Sequence, residues 1–477
     1  MAPRVVKKRR LSQSSNDNQT QSQEAPSKKG RRSITGNRRV KFHLSAEDLS
    51  PTVECDRVLT CGTGEQLGHP GRETTKKPRA IDTLDDDVKL VQARAGGVHS
   101  LLLASDGRIF SCGVNEKGTV PVKGLEAEGI TDEFTEIEFS EEIRGLGKVL
   151  QIAAGASFSA ALISDGSVVA WGNLRDSQGD VTAHSHLTKM QKSPVVIHEP
   201  KEIRVVKIAA GENHLVMLSS DGEIMTFGEG SMGQLGRSTR SNLIRGNYMA
   251  DVTGKKLVTR VMEKNKEIKF TDIFAGGFWT IGRAEDNRLF ACGLNNYAQL
   301  GLPVPISEKA EENGNAASQA DEEDYRIQKF SHVRAFDKDT KWTHIAGVQH
   351  LALRNENGEV YTIGKNTDNI LGLGTWTGRE DNEHWRYDTL QKVIFPEGVK
   401  IAGVHASLGT TIAWTEDGDG YAFGFDGSGQ LGLGITEDDE KVVGTPRKIQ
   451  SAHLNDYAIK SVAIADQHTI FLAVKRA

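Results

Sequence analysis

The side chains that could do chemistry in this chain fall into three groups, and none is arranged for making or breaking covalent bonds. The first is a recurrent histidine: Ala95-Gly96-Gly97-Val98-His99, Ala210-Gly211-Glu212-Asn213-His214 and Ala346-Gly347-Val348-Gln349-His350 share the pattern A-G-x-x-H, and His468 ends a variant of it. The second is a polar run, Arg175-Asp176-Ser177-Gln178-Gly179, directly after Trp171-Gly172-Asn173-Leu174. The third is a pair of basic clusters, Lys7-Lys8-Arg9-Arg10 and Lys28-Lys29-Gly30-Arg31-Arg32. The sequence has no G-x-x-x-x-G-K-[ST] phosphate loop, no metal-ligand spacing, and no nucleophile with a base beside it. The expectation is non-covalent work on other macromolecules, with no metal and no cofactor.

Charge divides the chain in two. Residues 1–42 hold twelve basic side chains against two acidic ones, +10 in all, whereas the whole chain of 477 residues carries −5, so the body carries −15. The first 42 residues are also rich in Ser, Gln and Asn and poor in aromatics. Such a segment cannot bury enough apolar surface to offset its ordering entropy, and it reads as a disordered arm followed by a linker over 43–57. The clusters containing Lys7 to Arg10 and Lys28 to Arg32 suit nuclear import or contact with DNA phosphates; a plain solubilising tail is the alternative. No apolar run approaches the ~18–20 residues that would span a bilayer, so no membrane partner is expected. Cys55, Cys61, Cys112 and Cys292 show no C-x-x-C spacing, which fits a reducing intracellular compartment.

The histidines are positioned by a repeat. Seven landmarks occur, at His99, Phe158, His214, Trp279, His350, Thr410 and His468, spaced 56 to 71 residues apart. Seven residues after each of the first six stands a turn pair: Asp106-Gly107, Asp165-Gly166, Asp221-Gly222, Asp286-Asn287, Asn357-Gly358 and Asp417-Gly418. Such pairs supply the positive φ of a two-residue hairpin turn, so each repeat should hold an antiparallel hairpin with one buried face. The seventh repeat lacks its later strands, because the chain stops soon after Val474. Val58-Leu59-Thr60-Cys61-Gly62, followed by Glu65-Gln66-Leu67-Gly68, matches the missing piece and the loops Gly233-Gln234-Leu235-Gly236, Ala298-Gln299-Leu300-Gly301 and Gly429-Gln430-Leu431-Gly432. Closure of a ring removes exposed sheet edges. The expected fold is all-β: a seven-bladed β-propeller over 58–477, closed by its N-terminal strand.

These signatures resemble the regulator of chromosome condensation family over all seven repeats and the arm. The segment Trp171 to Val181 looks like the protruding wedge that the family's chromatin-bound exchange factor places after its second repeat. The resemblance implies guanine-nucleotide exchange on the small nuclear GTPase Ran, in the nucleus and on chromatin, serving nucleocytoplasmic transport and mitosis. It implies as partners a Ran-type GTPase, core histones or the nucleosome, DNA through the arm, and a nuclear-import receptor.

Residue by residue, the resemblance puts Arg175, Asp176, Ser177, Gln178 and Gly179 on the wedge, with Arg175 and Asp176 touching the GTPase. It puts Glu212, Asn213, Arg237, His350 and His468 on the GTPase-binding face. Two family aspartates are replaced here by Ala156 and Asn213, and Glu212 or Glu65 could supply part of that charge. For the histidines, a role in blade packing or in hydrogen-bonding a neighbouring strand stands beside partner contact. An acidic stretch over 307–324 reads as an extruded loop that would repel DNA and could attract basic histone surface, with a plain solvated loop as the alternative, and the basic Arg237, Arg240 and Arg245 could meet either the GTPase or the nucleosome. The alternative function is a propeller scaffold or ubiquitin-ligase adaptor without exchange activity.

Overall fold

Strand Arg57–Thr63 lies between His468–Lys475 and Thr74–Ala80, with Gly62 opposite His468 and Leu59 opposite Phe471. The N-terminal strand therefore completes the last sheet. The structure, a computed structural model, describes residues 42–176, 179–180, 185–237, 257–304 and 325–476. Within them lie seven four-stranded antiparallel sheets, five built from consecutive strands, one interrupted by a two-stranded hairpin before its last strand, and the seventh built from both ends of the body. The protein is a seven-bladed β-propeller. The basic clusters of the arm, Ser177 and Gln178, Arg240 and Arg245, and the acidic stretch 307–324 lie outside the described residues.

The first blade shows the pattern: Leu90–Ala95 lines the channel, His99–Ala104 and Ile109–Val114 follow, and Ile130–Glu136 forms the rim. The hairpins bury more than the single face expected. Every residue of His99–Ala104, Phe158–Ile163 and His214–Ser219 is buried. Blades stack face to face round the ring, so both faces of a second strand are interfaces, and only outer strands such as Ile130–Glu136 keep mostly accessible residues. Truncating Leu102, fully buried, to Ala would cost ~2–5 kcal/mol.

The glycine ending each third strand is fixed by a close approach. At Gly113, φ is +118° and a Cβ would stand 2.3 Å from the Val98 carbonyl; at Gly62, φ is +120° and the corresponding distance is 2.1 Å, to Gln467. Only glycine fits over the landmark turn in either place. Gly62 thus occupies in the closing strand the position Gly113 occupies in the first blade.

The segment expected as a linker over 43–57 is a strap. Leu44 N donates to Ser220 O at 2.9 Å, Ala46 is 1% exposed, Leu44 and Leu49 pack on the core of the second to fourth blades, and Cys55 pairs with Leu90. Apolar residues at 42, 44, 46 and 49 bury surface that a solvated linker would have left in water.

Candidate functional site

Because Phe158 pairs with Gly172, the landmark turns and the segment after the third strand emerge on one face, and the Asp-Gly turns emerge on the other. On the first face the landmark turns bond to one another: Gly97 N to Gly155 O, Ala156 N to Glu212 O, and Glu212 N to Gly277 O, at 2.8 to 3.3 Å. They ring the mouth of a central cavity of about 870 Å³, whose far end is lined by strap residues Asp48 to Val53. Glu212 and Asp466 both line this cavity. Burial, then the Asp466 carboxylate, pushes the Glu212 carboxyl up to about 7. Deeper in the channel, Asp272 holds Lys207 and Arg283, the latter at 3.0 Å, tying the third blade to the fourth. Sequence reasoning missed this triad, although Lys207 and Asp272 share one register position of their channel strands.

The polar run in the second blade is a small hairpin, Arg175–Asp176 pairing with Gly179–Asp180. Its root is built in: Asn173 and Leu174 are 0% and 1% exposed, and Asn173 N donates to Ser157 O at 2.6 Å. Arg175, expected to touch the GTPase, is also engaged within the fold. Its Nη2 is bound to Glu116 Oε1 and lies 3.1 Å from Ser157 Oγ, while its backbone N–H donates to Asn213 Oδ1 at 3.2 Å. A guanidinium gains more from a partly buried carboxylate in its own fold than from water, so Arg175 ties the root of the hairpin to the first blade. Asn213, expected on the binding face, takes part in the same root.

His350 and His468 are corrected outright. Both are 0% exposed, and burial pushes each imidazole down to about 3. His350 Nε2 lies 2.9 Å from Thr411 Oγ1 and His468 Nε2 lies 2.8 Å from Ser100 Oγ, each in the next blade. His99 and His214 do the same with Ser159 and Thr280. The repeated position is the second strand's first residue, which points into the seam between blades. A partner on the surface cannot reach it.

Arg237 stands after its G-Q-L-G loop as expected, but folds back: Nε donates to Thr226 Oγ1 at 2.9 Å and Nη2 to Thr226 O at 2.7 Å, and burial lowers it to about 10. Among the described residues no group of His, Cys, Asp and Glu is disposed to hold a metal ion. All four cysteines are free and buried.

A family profile described as an RCC1-like domain matches residues 57–471. The chain is 32% identical to the human regulator of chromosome condensation, over 92% of this chain and 94% of the relative. It is 25% identical to the guanine nucleotide exchange factor SRM1 of Saccharomyces cerevisiae, over 84% of this chain and 82% of SRM1. Two solved structures of yeast RCC1 (Prp20), one bound to Kap60 and one described with its binding to Gsp1p and histones, superpose with TM-scores of 0.75 and 0.74. Both are 22% identical and cover 94% and 92% of this chain and 97% and 96% of theirs, a likeness of fold. The profile match runs from the closing strand to the last strand of the ring, and with the identity to the human relative it settles the family: this chain belongs to the regulator of chromosome condensation family.

Proposed function

We propose that the chain promotes release of GDP or GTP from a Ran-type GTPase by pressing the second-blade hairpin against the nucleotide site, while held on chromatin. The observation that carries this is the hairpin itself. Where the third and sixth blades close with G-Q-L-G and the fourth with A-Q-L-G, the second sends out a polar hairpin rooted in three blades, on the face ringed by the landmark turns. The relatives named as chromosome-condensation regulators and as an exchange factor support the same reading.

The mechanism is linkage. A GTPase can hold nucleotide with ~−16 kcal/mol, through a phosphate-cradling loop and Mg²⁺. A protein that binds the nucleotide-free form more tightly must weaken nucleotide binding by the same factor. The hairpin supplies the displacement, and the face carrying Glu212 supplies binding that is uniform along the path. No covalent bond is made or broken. Core histones, DNA met by the basic clusters, and an import receptor that reads them complete the proposed partners, with chromatin in the nucleus as the place of action.

The test is release of a fluorescent guanine nucleotide from purified Ran at catalytic amounts of the full chain. Release should accelerate by orders of magnitude, and replacing Asp176, Ser177 and Gln178 by Ala should slow it at least ~10-fold, about 1.4 kcal/mol of barrier. Release no faster than from Ran alone overturns the proposal.

A further inference from the structure

A hairpin with two residues in each strand has little stability of its own. Among the described residues, nothing stands within 4 Å of where a Cβ on Gly179 would be. The first residue of the hairpin, by contrast, is gripped from three blades. Glu116, in the closing loop of the first blade, takes Arg175 Nη2 on Oε1 and the Ser157 hydroxyl on Oε2, the latter at 2.8 Å. Asn213 of the third blade takes the Arg175 N–H. Ser157 is 2% exposed, and the Arg175 and Glu116 side chains are 35% and 22% exposed. The pair therefore sits at the edge of the buried root, where water screens it less than on an open surface.

Glu116 is distinctive in this network. Both its oxygens are engaged, one by the hairpin and one by the landmark turn of the second blade, so it fixes an angle as well as a distance. A lever that displaces a phosphate-binding loop must be stiffer than the loop; a compliant hairpin would bend instead. We infer that Glu116 is a positioning residue for exchange: it sets the angle at which the wedge leaves the face by holding Arg175 to Ser157, without touching the GTPase. The inference rests on the exchange reading above and adds to it a residue of the first blade, outside the wedge.

If the wedge acts only in the transition state for release, loosening it lowers kcat and kcat/KM together and leaves KM for Ran in place. Glu116→Gln and Glu116→Ala should lower kcat about tenfold, with KM within about twofold. In the free protein, hydrogen exchange at the amides of 173–180 should rise while the rest of the propeller keeps its protection. The reciprocal double variant Glu116→Arg with Arg175→Glu should restore part of both. Wild-type kcat in both single variants overturns the inference, whether or not amide protection at 173–180 changes. Loss of protection across all seven blades also overturns it, making Glu116 a residue of the fold. Because amide protection is read without Ran, it shows the clasp even if wild-type protein proves inactive, and that inactivity would count against the exchange reading instead.

Discussion

His468 donates its Nε2–H to Ser100 Oγ at 2.8 Å, and Ser100 passes its own hydrogen to the Gln66 carbonyl at 2.7 Å. One line of hydrogen bonds thus joins the last landmark, the first blade and the loop after the closing strand. The hydroxyl has a single hydrogen, so the imidazole must be the donor, neutral and protonated at Nε2. The neighbours obey a pairing rule: His99, His214 and His350 meet Ser159, Thr280 and Thr411, whereas the apolar landmarks Phe158 and Trp279 are followed one blade on by Leu215 and Leu351.

This rule predicts a coupling. His468→Phe alone leaves Ser100 without its donor, and Ser100→Leu alone leaves a buried imidazole hydrogen unpaired, each costing ~1–3 kcal/mol. The double variant reproduces the Phe158 and Leu215 seam and should recover at least ~1 kcal/mol of the summed loss. Urea titrations of the four proteins measure it. Strictly additive losses would remove the latch.

Acid should open the same seams. The landmark imidazoles of His99, His350 and His468 are pushed down to about 3, and that of His214 to about 4, by burial. Their unfolded value is ~6.5, so between pH 6.5 and 4 the unfolded chain binds more protons than the folded one. Stability is complete above pH 6.5 and falls below it, by up to ~1.4 kcal/mol per pH unit for each such histidine. The double variant above should show a shallower fall, readable from urea midpoints at pH 7, 6 and 5.

Much of this was legible in the sequence, and the failures have a physical reason. The repeat, its turns and the closing strand Val58 to Gly62 follow from local spacing, because hairpin turns and close-approach glycines are decided by neighbours in the chain. The roles of His350, His468 and Arg175 depend on which blade lies next to which, and a spacing pattern does not carry that. Even so, the pairing of His with Ser or Thr and of Phe or Trp with Leu, one repeat on, was present in the sequence as a signal for packing. The strap hid its pattern inside a short segment whose Leu44, Ala46 and Leu49 are too few to show a period.

Removing residues 1–41 should leave the melt of the propeller unchanged. Removing 1–56 takes away Leu44, Ala46, Leu49 and Cys55 and uncovers the end of the channel; it should lower the urea midpoint while keeping a cooperative transition. Removing 1–68 also deletes the strand paired with His468–Lys475, exposes an edge, and should give aggregation. A soluble 69–477 fragment as stable as the whole would contradict the closure.

Glu212 should make partner binding depend on pH. With its carboxyl pushed up to about 7, it gains negative charge as pH rises from 6 to 8. If a basic side chain of the GTPase meets this rim, affinity should increase over that interval, and Glu212→Gln should flatten the profile. The folded carboxyl is also raised above its unfolded value of 4.5, so its contribution to stability is present below pH 4.5 and lost as pH rises through 7. The same substitution should therefore raise the urea midpoint at pH 8 and not at pH 4. Identical binding profiles for both proteins would take Glu212 off the binding face.

The last prediction concerns the +10 carried by residues 1–42 against the −15 of the body, a division that should separate chromatin attachment from exchange. Lysines and arginines meeting phosphates release counterions, so if about five to eight of the twelve cations engage duplex DNA, log affinity should fall with log salt at a slope of roughly −4.5 to −7. Contacts to phosphate carry no base readout, and binding should be nearly independent of DNA sequence. Removing residues 1–41 should flatten most of the slope while release of nucleotide from free Ran barely changes, since the wedge root at Arg175, Glu116 and Asn213 lies wholly within the propeller. If the truncated protein keeps the full slope, the cations that meet DNA belong to the propeller, with Arg240 and Arg245 the first to replace, and residues 1–41 are left with nuclear import alone.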